Sequence, residues 1–345
     1  MNTEKKTNKF SLFISKNSGN VALFIFMVVM FFAMGLIKPS AYFKVNSFSS
    51  MLSQITDVGI IALGTMLPII SGGFDLSMVG AGNLSGIIAS YLIISMTGGS
   101  EQGGFGAMIV GLLVAIVVGM LCGYINGLII STFNTPPMIV TLGTSYVYMG
   151  IAIILTEGAA ITGFPTMMSA WTSITLLGFI PLPFLFFVVV AAVVWYLLSK
   201  TPYGEKLIMV GSNKVAAEFS GINVGRVLRE TYTISGILAS IACFIMYCNS
   251  NQAKADYGTS YTLQSIMCAG LGGTDPNGGK GSVMGVVFAL FAMQFMSSGM
   301  NSLRMTNGTF LRQIIWGAAL LAVIAINVIT AKVKATKAHK KAVQA

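Results

Sequence analysis

Apolar runs approaching bilayer length recur from one end of this chain to the other, and that recurrence leaves few folds open to it. A helix needs about 20 apolar residues to cross the roughly 30 Å hydrocarbon core of a membrane. Such runs are read near residues 19–37, 58–71, 76–97, 104–132, 138–155, 184–199, 231–248, 260–271, 282–300 and 310–330. Only 9% of the 345 residues are charged and 55% are hydrophobic, with a mean hydropathy of +0.82. A soluble protein carries about 25% charged residues, so too little polar surface remains here to coat a globule in water. The expected fold is an all-α integral membrane protein of about ten transmembrane helices.

Net charge is +10, but its placement argues against nucleic-acid binding. The basic residues gather in the tails, at Lys5, Lys6, Lys9 and Lys16 and at Lys332, Lys334, Lys337, Lys340 and Lys341, and in one internal stretch. Under the positive-inside rule such runs anchor cytoplasmic segments. Both ends are therefore expected inside the cell, which requires an even number of spans. The organisation expected is a tail at 1–18, one transmembrane domain at 19–330 and a basic tail at 331–345. The first run, Gly19 to Ile37, is too long for the apolar part of a signal peptide, lacks an A-x-A-like site, and reads as an uncleaved span. Cys122, Cys243, Cys248 and Cys268 lie in or beside apolar runs without metal-ligand spacing and read as small hydrophobes.

Two runs look too short. Val58 to Ser71 meets Gly72-Gly73 and then Asp75, while Ser260 to Leu271 meets Gly272-Gly273 and then Asp275. Short, glycine-interrupted spans in matching places point to a transport pathway, and the shared G-G-x-D suggests a degenerate repeat. The first block, GTMLPIISGGFDLSMVGAGNLSG (Gly64–Gly86), also carries Ser77 and Asn83. Asp75 either lines a solute path through a broken helix or caps the helix that follows. In GYINGLIISTFNTPPMIVTLGTSYVYMG (Gly123–Gly150), Asn126, Thr141 and Thr144 are candidates for the path or for bonds between helices.

The internal stretch Thr201 to Glu230 is polar enough to be cytoplasmic, and residues 200–230 are read as a cytoplasmic loop, which composition alone leaves ordinary. Within it Asn213 to Phe219 suits a short helix, with Asn213 as N-cap and Ser220-Gly221 as its end. That helix is either a surface offered to a separate engine protein or part of an ordinary loop. GGTDPNGGKGS (Gly272–Ser282) imitates a phosphate-binding loop but fails it, because Gly279 stands where lysine is needed and Gly281 follows Lys280.

With these blocks in place, the chain resembles the ribose-type permeases of the ABC importers that take up monosaccharides. The match is carried by IISGGFDLSMVGAGNLSG in the 70–86 region and by GYINGLI…PPMIVTLGT…MG (123–150). It continues in T-P-Y-G…GSNKVAAEFSGINV…Y-x-I-S-G-I-L-A (201–239) and GLGGTDPNGGKGSVMG (270–285). The resemblance implies a type II importer-like fold. Asp75, Ser77, Asn83, Asn126 and Thr141, the polar residues of the first two blocks, are expected beside the substrate path, and the resemblance places Ala216, Ala217, Gly221 and Ile222 in the loop that docks on the ATPase. It further implies a second permease chain (homo- or heterodimer), a separate ABC ATPase that binds ATP and Mg²⁺, an extracytoplasmic solute-binding protein and a lipid bilayer at the bacterial inner membrane. No cofactor is expected in this chain. Glu205, after the glycine of T-P-Y-G, departs from the basic residue usual there. An ion-coupled secondary transporter of small polar solutes is the alternative, with Asp75 and Glu157 as its only intramembrane carboxylates. An intramembrane enzyme would need a His/Cys/Asp cluster or paired carboxylates, which are not read here.

Overall fold

The computed structural model describes residues 18–98 and 104–302, together with 314, 315, 317, 318 and 321. Among them, eight helices are long and apolar enough to cross a membrane. These are α1 (Ser18–Ile37), α3 (Val45–Ile70), α4 (Met78–Thr97), α5 (Gly104–Phe133), α6 (Pro137–Thr156), α8 (Leu182–Lys200), α11 (Val224–Ser250) and α13 (Val283–Ser302). Shorter helices are α2 (Pro39–Tyr42), α7 (Thr166–Ser173), α9 (Pro202–Ser212), α10 (Lys214–Phe219) and α12 (Tyr261–Leu271). A two-residue hairpin pairs β1 (Thr175–Leu176) with β2 (Ile180–Pro181). The expected span near 310–330 and both lysine-rich tails lie outside the described residues, apart from those few positions.

The centre is α3 with α11 beside it. Residues Val58 to Ile70 of α3 are buried without exception, and Leu63, Met66 and Leu67 anchor the largest apolar cluster. By contrast α1 is apolar all round and mostly exposed, the pattern of a helix facing lipid. Small residues let α5 and α11 meet backbone to backbone. Gly111, Ala115, Gly119, Gly123 and Gly127 recur every fourth position along α5, and all are buried. A Cβ at Gly119 would strike the Gly236 carbonyl, and one at Gly127 would sit 2.6 Å from Arg229 Cα. Such close approach is how helices associate where lipid supplies no hydrophobic drive.

Three expectations are corrected. The run at 58–71 is not short, because α3 begins at Val45 and spans 26 residues, roughly 39 Å at 1.5 Å per residue. Its first half carries Asn46, Gln54 and Asp57, whose polarity reads as loop in a hydropathy window, yet the helix continues through them. Asp57 is therefore a carboxylate within a span, in addition to the two expected, Asp75 and Glu157. Glu157, in turn, is the C-cap of α6 rather than a residue within it. Finally, the stretch 200–230 is almost wholly helical: α9 and α10 occupy 202–219, and α11 starts at Val224, seven residues before the expected span.

The short run at 260–271 is found as expected. α12 has 11 residues, about 16 Å of rise, and cannot cross the core alone.

Candidate solute path and coupling surface

Two glycine pairs stop helices by the same device. After α3, Gly72 adopts φ +83, its N–H bonds Ile69 O (2.9 Å), and Gly73 N bonds Pro68 O (3.0 Å). After α12, Gly273 adopts φ +87, its N–H bonds Gly270 O (3.1 Å), and Thr274 N bonds Ala269 O (3.0 Å). Both are Schellman closures with glycine in the left-handed position, offset by one residue within the shared G-G-x-D. The aspartates also match locally: Asp75 Oδ1 accepts from Ser77 N, and Asp275 Oδ1 from Asn277 N, each at 3.0 Å.

The two ends meet. Gly279 N donates to Ile70 O at 2.8 Å. Gly211, near the end of α9, packs against both: a Cβ there would overlap the Ile70 carbonyl and sit 2.6 Å from Gly279 N. A Cβ on Gly278 would lie 2.6 Å from Gly211 O and 2.9 Å from Gly72 N. The ends of α3, α9 and the 272–282 loop thus interlock largely through backbone at Gly72, Gly211, Gly278 and Gly279.

From that knot the chain enters a buried polar network. Asp75 Oδ1 accepts from Ser77 Oγ (2.6 Å), and Oδ2 from Ser235 Oγ of α11 (2.7 Å). Asn126 Nδ2 of α5 donates to Ser77 Oγ (2.7 Å), and Tyr148 OH of α6 donates to Cys122 O (2.9 Å) beside it. Thr141 Oγ1 accepts from Leu76 N (3.1 Å). Asp75 does not cap α4, since Ser77 holds the N-cap position and the Asp75 carboxylate stops at the Ser77 N–H. Asn83 lies six residues beyond that N-cap in α4, and its Nδ2 donates to the carbonyls of Ala255 and Tyr257 (both 2.9 Å).

The five residues expected beside the path are thus each at most 1% exposed. In this conformation they face packed protein, with hydrogen bonds that lash the 71–77 segment and α4 to α5, α6, α11 and the 251–260 loop. Thr144 bonds within its own helix, to Thr141 O (3.3 Å). Tyr232 OH, which sequence reasoning missed, is fully buried against Gly73 and is one of the few buried polar atoms without a hydrogen bond among the described residues.

The short helix on the α9 side forms as its sequence dictates. Asn213 Oδ1 caps α10 by accepting from Ala216 N (3.0 Å), and Ser220 followed by Gly221 at φ +80 ends it. Tyr203 OH donates to Thr231 Oγ1 (3.0 Å), pinning α9 to α11, and burial pushes that hydroxyl's pKa up, so it stays protonated as a donor. Of the four expected coupling residues, Ala216 and Gly221 are exposed and Ile222 is half-buried against the core, while Ala217 turns inward and is buried. The exposed apolar face instead belongs to Val215 and Phe219, four residues apart and 62% and 90% exposed. A cleft of about 780 Å³ opens nearby between α5, α8, α9 and α11, lined by Tyr124, Tyr203, Arg226, Arg229 and Glu230.

Comparison with known proteins agrees with this architecture. Residues 47–324 match the family described as "Branched-chain amino acid transport system / permease component". The autoinducer 2 import system permease protein LsrD of Salmonella typhi is 31% identical over 314 residues, covering 89% of this chain and 90% of that protein. The protein of the same name from Photorhabdus temperata is 30% identical over 292 residues (83% and 84%). That from Yersinia enterocolitica is 29% identical over 277 residues (79% and 81%). No solved structure matches the chain. A stack of apolar helices, two of them closed by glycine pairs, and a match along most of the chain all point one way: the chain belongs to this family of transport permeases and is the membrane-spanning permease subunit of an ABC importer.

Proposed function

We propose that this chain forms the translocation path for a sugar or sugar-like solute in the bacterial inner membrane, with both termini cytoplasmic and residues 19–330 acting as one permease domain. Its partners in this reading are a second permease chain, identical or different, and an extracytoplasmic solute-binding protein. A separate ABC ATPase binds ATP and Mg²⁺, so this chain needs no cofactor of its own. The relatives named for autoinducer 2 import support a small, sugar-like solute.

The observation that carries the coupling role is the Phe219 ring, 90% exposed on a capped helix next to the interlocked ends of α3, α9 and the 272–282 loop. Burying a phenylalanine side chain contributes about 1.5–3 kcal/mol, and a partner's groove is the place to do it. Movement of α10 would pass through Gly211 and Ile70 into the 71–77 segment, where Asp75, Ser77, Asn126 and Thr141 border the path as its bonded wall. Asn83 extends that wall along α4. Ala216, Gly221 and Ile222 frame the docking face, with Ala217 as its inward anchor.

The test reconstitutes the permease with its ATPase and loaded binding protein. Phe219→Asp is expected to leave membrane levels unchanged while abolishing solute-stimulated ATP hydrolysis. Unchanged stimulation would move docking to the 275–281 loop. Asp75→Asn and Asn83→Leu should each lower uptake with assembly intact, and normal uptake in both would leave that wall structural only.

A further inference from the structure

Where α8 gives way to α9, the start of α11 and the last turns of α5 do not close on the connection, and the cleft of about 780 Å³ left between them has two unlike ends. Its mouth is basic. Arg226 and Arg229 stand on the first two turns of α11, after the Asn223 cap, and Glu230 is the one carboxylate among the described lining residues. Its depth is apolar. Ile234 lies ten residues up α11 from Val224, roughly 15 Å along the helix, and lines the cleft with Leu197 of α8 and the Tyr124 ring of α5.

Neither guanidinium is fully used. Arg229 Nε donates to Gly225 O (3.2 Å), and Arg226 Nε sits 3.3 Å from Glu230 Oε1 with its side chain 75% exposed. The terminal amino groups of both make no hydrogen bond among the described residues, and one carboxylate offsets only one of the two charges. Lys200, three residues past Leu197, lies over the Trp195 ring at 6.0 Å and adds a cation at the same end of α8. Away from the mouth, the faces that line the cleft stay apolar and uncovered. Leu121 and Val117 continue the Tyr124 face of α5, and Val193 and Val189 the Leu197 face of α8, all of them exposed. A water-soluble partner could cover the mouth, but it could not reach strips at membrane depth.

We propose that this cleft is a binding site for one acidic glycerophospholipid, with the phosphodiester held by Arg226 and Arg229 and an acyl chain laid along Tyr124, Leu197 and Ile234. Arginine's planar fork meets two phosphate oxygens at once, and a basic pocket between spanning helices suits an anionic headgroup whose chains remain in the bilayer. Glu230 repels the headgroup from one side of the mouth and so tunes the affinity down. The site also touches the α9–α11 junction, because Tyr203, whose hydroxyl pins those helices through Thr231, belongs to its lining. A bound lipid would brace that junction beside α10. Which leaflet supplies the lipid rests on the topology proposed above, whereas lipid binding in detergent does not, so either can fail alone.

The test titrates phosphatidylglycerol and, separately, phosphatidylcholine into the full-length permease in neutral detergent, with bound lipid counted by native mass spectrometry. One phosphatidylglycerol should bind about tenfold or more tighter than phosphatidylcholine. Arg226→Gln alters only an exposed side chain and should weaken that preference about fivefold, as for one basic group at a headgroup. Arg226→Gln with Arg229→Gln should abolish it. Glu230→Gln should strengthen it. Leu197→Trp, which fills the apolar end, should weaken phosphatidylglycerol binding although every charge remains. Equal binding of the two lipids, or a preference unchanged in Arg226→Gln, would overturn the site. Displacement of the lipid by millimolar inorganic phosphate would make this a free-anion site instead. Release of the lipid on assembly with the ATPase would give the cleft to that protein, and either result would also overturn the proposal.

Discussion

The two copies of G-G-x-D do the same local work in different surroundings. Residues 72–75 and 272–275 each close a helix with a left-handed glycine, and each sets its aspartate to accept from the N–H two residues on. Asp75 then vanishes into protein, holding Ser77 and the Ser235 hydroxyl that arrives from 160 residues away. Asp275 stays in a half-open turn, where among the described residues its side chain bonds only Asn277. Local sequence thus sets the turn, and long-range packing decides whether the same carboxylate is a structural centre or a loop feature.

Variants can break this comparison at its strongest point first. Gly211→Val drives a branched side chain into the Ile70 carbonyl and Gly279 N, where only backbone can yield. We expect a loss of about 3 kcal/mol or more, seen as a collapsed melting transition and poor recovery of dispersed protein. Wild-type melting would show that the two helix ends are not locked together.

Asp75→Ala comes next. It strands Ser235 and leaves the Ser77 N–H without its acceptor inside the bundle, for an expected cost of about 2–4 kcal/mol. Ser235→Ala removes one partner only and should cost about 1.5 kcal/mol. The two together should fall short of the sum of their separate costs, because they share a bond. Simple additivity would mean the network is a set of independent contacts.

The smallest effect belongs to Asp275→Ala, about 0.5 kcal/mol or less, as for a surface turn with no buried partner. If this variant destabilises as much as Asp75→Ala, the contrast between the two copies is wrong.

Much of the site was legible before any coordinates. Asn213 as a cap, Gly221 as a stop and the glycine pairs as helix ends all follow from short-range rules, because capping and left-handed backbone depend on a residue and its nearest neighbours. The every-fourth small residues of α5 were readable in the same way, although their partner, α11, was not. Phe219 could have been found too, as a large apolar side chain in a short polar helix, where no local rule would bury it.

What sequence alone determined was that the chain is a series of apolar helices and roughly where most of them lie, since hydropathy sums over about 20 residues and insertion responds to that sum; the polar first half of α3 escaped it. Only the tertiary structure decided where the polar groups inside those segments go. Asp57 reads as loop until Asn249, 192 residues away, meets it, and Ala217 reads as docking surface until the core covers it. The reason is physical. A buried carboxylate or hydroxyl is stable only with a partner at hydrogen-bond distance, and in this bundle most such partners come from helices that are remote along the chain.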